Sequence, residues 1–132
     1  MTKGNFDLGI FILRLWFGLE MAFAHGLGKM IKIFRGDFGF PDPLGIGSTT
    51  SLLLAGPAEF FCGLLIAFGF FTRLATLPYI ITMLVAAFAQ HWGDGWSKMA
   101  VPLHYGVAAL TILITGPGRY SLDHKWFVDK IR

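Results

Sequence analysis

A chain of 132 residues with a formal net charge of +3 is 55% hydrophobic and only 14% charged, against roughly 25% charged in ordinary soluble proteins. At a mean hydropathy of +0.61, so few charges cannot cover so much Phe, Leu and Ile in one soluble domain, and the composition points to an integral membrane protein. The single cysteine, Cys62, excludes an internal disulfide, a CxxC redox pair and a thiolate cluster, and no basic stripe with interleaved aromatics suggests nucleic acid.

The first apolar run covers about residues 8–28 and carries Arg14, Glu20 and His25, with Lys29 just beyond it. A helix of roughly 20 residues crosses a hydrocarbon core of about 30 Å. Unpaired charges inside such a span cost at least a few kcal/mol each. Lipid cannot solvate them, so the rest of the chain or a partner must close around this helix. The run is too long for a cleavable leader and leads into His25-Gly26-Leu27-Gly28-Lys29, not a small-residue cleavage site.

Residues 30–50 read as a longer loop. It opens on a mixed apolar and basic piece and continues through Gly36, Gly39, Pro41, Pro43, Gly45 and Gly47, which break regular structure. It is either a lid or docking surface or a plain connector. Further spans follow at about 52–71, 74–91 and 99–115. Only Thr72 and Arg73 separate the second from the third, which demands a tight helical hairpin. Trp92 and Trp96, between the third and fourth, suit the headgroup level. Gly116-Pro117-Gly118 stops the last span, and residues 119–132 form a polar tail on the cytoplasmic side. The expected fold is all-α: a single domain, an antiparallel bundle of four transmembrane helices.

With four spans, both termini share a side with the second-to-third link. That side holds Lys3, Arg73, Arg119, Lys125, Lys130 and Arg132; the other holds Lys29, Lys32, Arg35 and Lys98. The excess of Lys and Arg places both termini in the cytoplasm and the protein in the cell's inner membrane.

Stacking the spans by depth puts Glu20 and Glu59 near mid-membrane and His25, His91 and His104 in the outer third, with Gln90 and Tyr105 beside two of them. Arg14, Gly18, Met21, His25 and Lys29 recur at steps of three and four and share one helix face. Each residue has a bland reading: Arg14 paired with Glu59 or Glu20 to fix helix register, His25 and Lys29 marking the water boundary. The functional reading is a polar pocket open to the outer side. There Glu20, Glu59 and His25 are the candidate catalytic groups, and Arg14, His25, Lys29, Glu59, His91, His104 and Tyr105 the candidate cofactor-binding ones. Metal or haem ligation has no HxxxH-type spacing behind it, and no nucleophilic triad or phosphate-cradling loop is present.

At these residues the chain resembles the DoxX family of small four-helix membrane proteins. The resemblance rests on Arg14-Leu15, His25-Gly26-Leu27-Gly28-Lys29, Glu59 with Gly63, Gly69-Phe70-Phe71-Thr72-Arg73, His91, and Gly116-Pro117-Gly118-Arg119-Tyr120-Ser121-Leu122-Asp123. Cys62 departs from it, where members often have Gly. The resemblance implies the four-helix fold. Its functional implications run from thiosulfate:quinone oxidoreduction to oxidative-stress complexes, enzyme maturation and receptor assembly. Two readings stay open. One is a quinone- or thiol-linked membrane oxidoreductase subunit, with quinone as the cofactor. The other is a non-enzymatic scaffold, chaperone or small-ligand-binding protein. Besides the lipid bilayer, a protein partner or a homo-oligomer is compatible with both.

Overall fold

The computed structural model describes residues 2–128, all helix, turn and loop, with no strand among them. The last residues of the tail, including Lys130 and Arg132 of the charge count, lie outside the described residues. The first helix begins at Thr2, whose hydroxyl accepts from the Asn5 amide. It runs as α-helix over Lys3–Glu20, widens to a π-helix over Met21–Gly26, and resumes as α-helix over Leu27–Phe34. The second helix is Ser48–Phe68. The third is Thr72–Gln90, π-helical over Ala86–Gln90, and the fourth is Trp96–Thr115. A short π-helical piece, His124–Val128, follows in the tail.

The second, third and fourth helices are long and apolar enough to cross a membrane. The first is the polar one. It also runs further than the apolar run suggests, so that Met30 to Phe34 are helix and the loop shortens to residues 35–47. Helix here turns Met30 inward toward Gly56 of the second helix, while Phe34 stays exposed.

Glycine sets the contact between the first two helices. A methyl group at Gly18 would lie 2.5 Å from the Gly63 carbonyl oxygen, and one at Gly26 would lie 2.5 Å from the Phe60 nitrogen. Only a residue without Cβ lets the backbones come so close. Along the first helix, from Gly18 through Gly26 to Lys29, the neighbours in the second fall from Ala67 through Phe60 to Gly56. The core beside this seam combines Met21, Ile66, Ala75, Tyr79, Met83, Tyr105, Ala109 and Ile112. The Tyr79 hydroxyl donates to the Phe17 carbonyl at 3.3 Å.

Arg14 is fully buried. Its guanidinium pairs with neither Glu59 nor Glu20, the partners expected of it. Nη1 donates to the carbonyls of Ile66 (3.1 Å) and Ala67 (3.0 Å), and Nη2 to that of Tyr120 (2.7 Å). Ile66 and Ala67 lie in the last turn of the second helix, where carbonyls lack intrahelical partners and the helix dipole favours a cation. That turn closes on Gly69 at φ 70°, with the Phe70 amide returning to Leu65. The tail completes the joint. The Asp123 amide donates to the Gly69 carbonyl at 2.8 Å. Its carboxylate accepts from the Phe71 and Thr72 amides (2.7 and 2.8 Å) and from the Thr72 hydroxyl (2.6 Å), capping the third helix.

Arg14→Met should keep the volume but strand the Ala67 and Tyr120 carbonyls, the Ile66 carbonyl keeping its bond from the Gly69 amide. The expected loss is on the order of 3 kcal/mol of stability, read by denaturation in detergent, with faster proteolysis after Tyr120. A variant as stable as the parent would refute the joint.

Candidate functional site

At the far end of the glycine seam from Arg14, four helices each turn polar groups toward one space. His25 sits in the π-helical stretch of the first helix. Its Nε2 lies 3.2 Å from the Tyr105 hydroxyl on the fourth helix, with the two rings edge to face. One turn on, Lys29 donates to Glu59 of the second helix. Glu59 is only 5% exposed, so this ion pair is withdrawn from solvent and each member depends on the other. His91 closes the third helix, its Nδ1 3.1 Å from the Asp94 carboxylate.

His25, Lys29, Glu59, His91 and Tyr105 border one cavity of about 480 Å³, with Met21, Met83 and Lys98 completing its wall. A second hollow of about 360 Å³ shares Lys29, Glu59, Ala86 and His91 with the first. Its remaining wall is largely apolar: Leu54, Ile81 and Val85 below, and Phe40, Pro41, Pro43, Leu44 and Ile46 of the loop above. The Lys29 ammonium lies 5.8 Å from the Phe40 ring centroid, within range of a cation–π contact. A polar chamber therefore opens into an apolar slot under the loop.

Five of the sequence-derived candidates thus meet. Glu20 and His104 do not join them. They border a separate groove of about 650 Å³ between the first and fourth helices, which Tyr105 also touches. Arg14 borders neither the chamber nor the slot and is spent on helix-end carbonyls. The sequence offered the loop as a lid or docking surface but did not single out Phe40, Leu44 or Ile46 within it, nor Met83, Ala86 and Lys98 as site residues. Apolar and small residues carry no signal of a site until the fold assembles it. Two π-helical stretches, Met21–Gly26 and Ala86–Gln90, flank the chamber, a feature that recurs at functional sites.

Long apolar helices around a buried ion pair and a half-enclosed polar chamber make an integral membrane protein of the helical-bundle class. The particular family follows from comparison. The family model described as DoxX matches residues 9–92, and the chain belongs to the DoxX family. The match spans the first three helices, which supply four of the five clustered residues. No curated protein and no solved structure matches the chain.

Two carboxylates fold the loop over the slot: Asp37 accepts from the Gly39 amide at 3.1 Å, and Asp42 closes the second half. Asp42 accepts from the Ile46 and Gly47 amides and from the Ser51 hydroxyl, each at 2.9 Å. These bonds, that from Gly47 foremost, hold its carboxyl below the usual carboxylate range. A carboxyl lowered on folding stabilises the closed loop above its unfolded value of about 3.9, and that contribution is lost as pH falls through the lower folded value. Protection of the Ile46 and Gly47 amides from hydrogen exchange, corrected for intrinsic rates, should hold from pH 7 to pH 5 and fall on further acidification. Asp42→Asn should flatten that profile; an unchanged profile would remove Asp42 from the role.

Proposed function

We propose that this DoxX protein is an antiparallel bundle of four transmembrane helices in the inner membrane, with both termini cytoplasmic, that binds a quinone at the chamber and serves redox chemistry there. The observation that carries the reading is the junction of two unlike hollows: a polar one with His25–Tyr105 and Lys29–Glu59, and an apolar one continuing from it. A quinone has the same division, with carbonyl acceptors at its head and an isoprenoid tail. Lys29, Tyr105 and His25 are the donors available to the carbonyls, and the slot walled by Leu54, Ile81 and Val85 suits the tail.

A bound quinone would supply two-electron, two-proton chemistry. The chain's own part is to bind, orient and hold protons. Glu59 holds Lys29 in place. His25 and Tyr105 form a hydrogen-bonded pair in which either nitrogen or oxygen can carry the proton. The loop of residues 35–47 lies over the slot and limits water. Cys62 alone cannot cycle through an internal disulfide, so electrons must come from a partner or a second substrate. Glu20 and His104, in the neighbouring groove, reach the chamber only through Tyr105.

The test is solvent extraction of protein purified from native membranes. Quinone should be recovered at close to one per chain, and Glu59→Gln should weaken its binding about tenfold, the loss of one charge-assisted interaction. Recovery of no quinone, with no shift of the melting temperature on adding it, would favour the non-enzymatic reading of the same chamber.

A further inference from the structure

The opposite end of the bundle carries a second hollow, of about 590 Å³, that the chamber does not need. It lies where the third helix begins at Thr72 and the fourth ends at Thr115. Arg73 and Arg119 border it, along with Asp7 and Asp123, and Leu74 and Phe127 give it an apolar side. The two carboxylates are already engaged. Asp123 caps the third helix through both oxygens. Asp7 accepts from the Arg119 amide at 3.2 Å and lies 3.8 Å from its side-chain Nε.

Arg73 is different. Its guanidinium has no hydrogen-bond or carboxylate partner among the described residues, yet it is positioned. It rests against Gly116, where a methyl group would lie 3.1 Å from Nη2 and 3.6 Å from Nε. Gly116 has φ 81°, a conformation that other residues rarely adopt, so the Gly-Pro-Gly turn both makes room for the guanidinium and supports it. The Arg119 side chain is about two-thirds exposed, and its 3.8 Å contact with Asp7 through Nε leaves the two terminal nitrogens for an incoming anion. Below them, Leu74 and Ile114 are 66% and 70% exposed, so the surface leading from the hollow along the helices is apolar.

We propose that this hollow binds the phosphate diester of an anionic membrane phospholipid, with Arg73 and Arg119 on the phosphate and an acyl chain against Leu74. Planar guanidinium forks match phosphate oxygens two at a time. The hollow sits at the end of apolar helices, the depth of a headgroup, where anionic lipid concentrates basic side chains. A free phosphate ion would use the two arginines but not the apolar side, and this distinguishes the two sources of the same chemistry.

The experiment is native mass spectrometry and thermal unfolding of the full chain in detergent, with phosphatidylglycerol, phosphatidylcholine or inorganic phosphate added. Phosphatidylglycerol should be retained and should raise the melting temperature; the other two should do neither. Arg73→Gln should weaken phosphatidylglycerol binding about tenfold. Arg119→Gln, an exposed change that leaves the fold intact, should weaken it less. Lys32→Gln, at the other end, should leave it unchanged. Equal effects of the two lipids, protection by phosphate alone, or unaltered binding in both arginine variants would each overturn the proposal.

Discussion

A buried guanidinium with no carboxylate on it, Arg14, joins three parts of this chain that are far apart in sequence. The negative end of the second helix compensates its charge, and the fork geometry lets one side chain serve carbonyls of the helix and of the tail together. Lysine, a point donor on a flexible stem, could not hold both. Because the tail carbonyl at Tyr120 is one of the three, the tail belongs to the bundle's framework, and Asp123, three residues on, caps the third helix. The depth at which the first helix meets the second is set here. The close passages at Gly18 and Gly26 fall into register from it, and so does the meeting of Lys29 with Glu59.

The two ends of that seam solve the same problem differently. Arg14 is matched chiefly by backbone dipoles, which do not ionise, with the Asp123 carboxylate acting on it through space. Lys29 is matched by a carboxylate, and His25 by a phenol. Both pairs are made of ionisable side chains, and both border open volume. A cation satisfied by carbonyls serves architecture; a cation satisfied by an acid beside a cavity can serve chemistry. Reading every intramembrane charge as one polar cluster merges these two uses, and the partner atoms separate them.

Much of this was legible in the residues. Apolar run lengths gave the second, third and fourth helices to within a few residues, and the steps from Arg14 to Lys29 gave one continuous first helix. Glu59, His25, Lys29, His91 and Tyr105 could be brought together by counting depth along the spans. The partner of Arg14 could not be found that way. A backbone carbonyl is present at every position and leaves no mark in the sequence, whereas an acid does, so residue-type reasoning favours an acid. That Glu20 and His104 border a neighbouring groove was hidden for a related reason. Depth is readable from position along a span, but the direction around the helix axis depends on which neighbour is nearest, and that depends on the packing of all four helices.

The π-helical stretch of the first helix explains how one face can serve both ends. Its buried positions include Ile10, Arg14, Gly18, Ala22, Gly26 and Met30, a row with an unbroken spacing of four, with Met21 buried beside it. In a pure α-helix of 3.6 residues per turn such a row drifts around the axis and leaves a straight neighbour within a few turns. A π turn is wider, so the same spacing drifts back. Placed midway, at Met21–Gly26, it keeps Gly26 against the second helix after Gly18 has already met it. His25 and Lys29, beside this row, are turned toward the chamber by the same correction. With α geometry throughout, either the Arg14 joint or the Lys29–Glu59 pair would lose its alignment. The local irregularity is thus what allows the Arg14 joint and the Lys29–Glu59 pair to occupy opposite ends of a single helix.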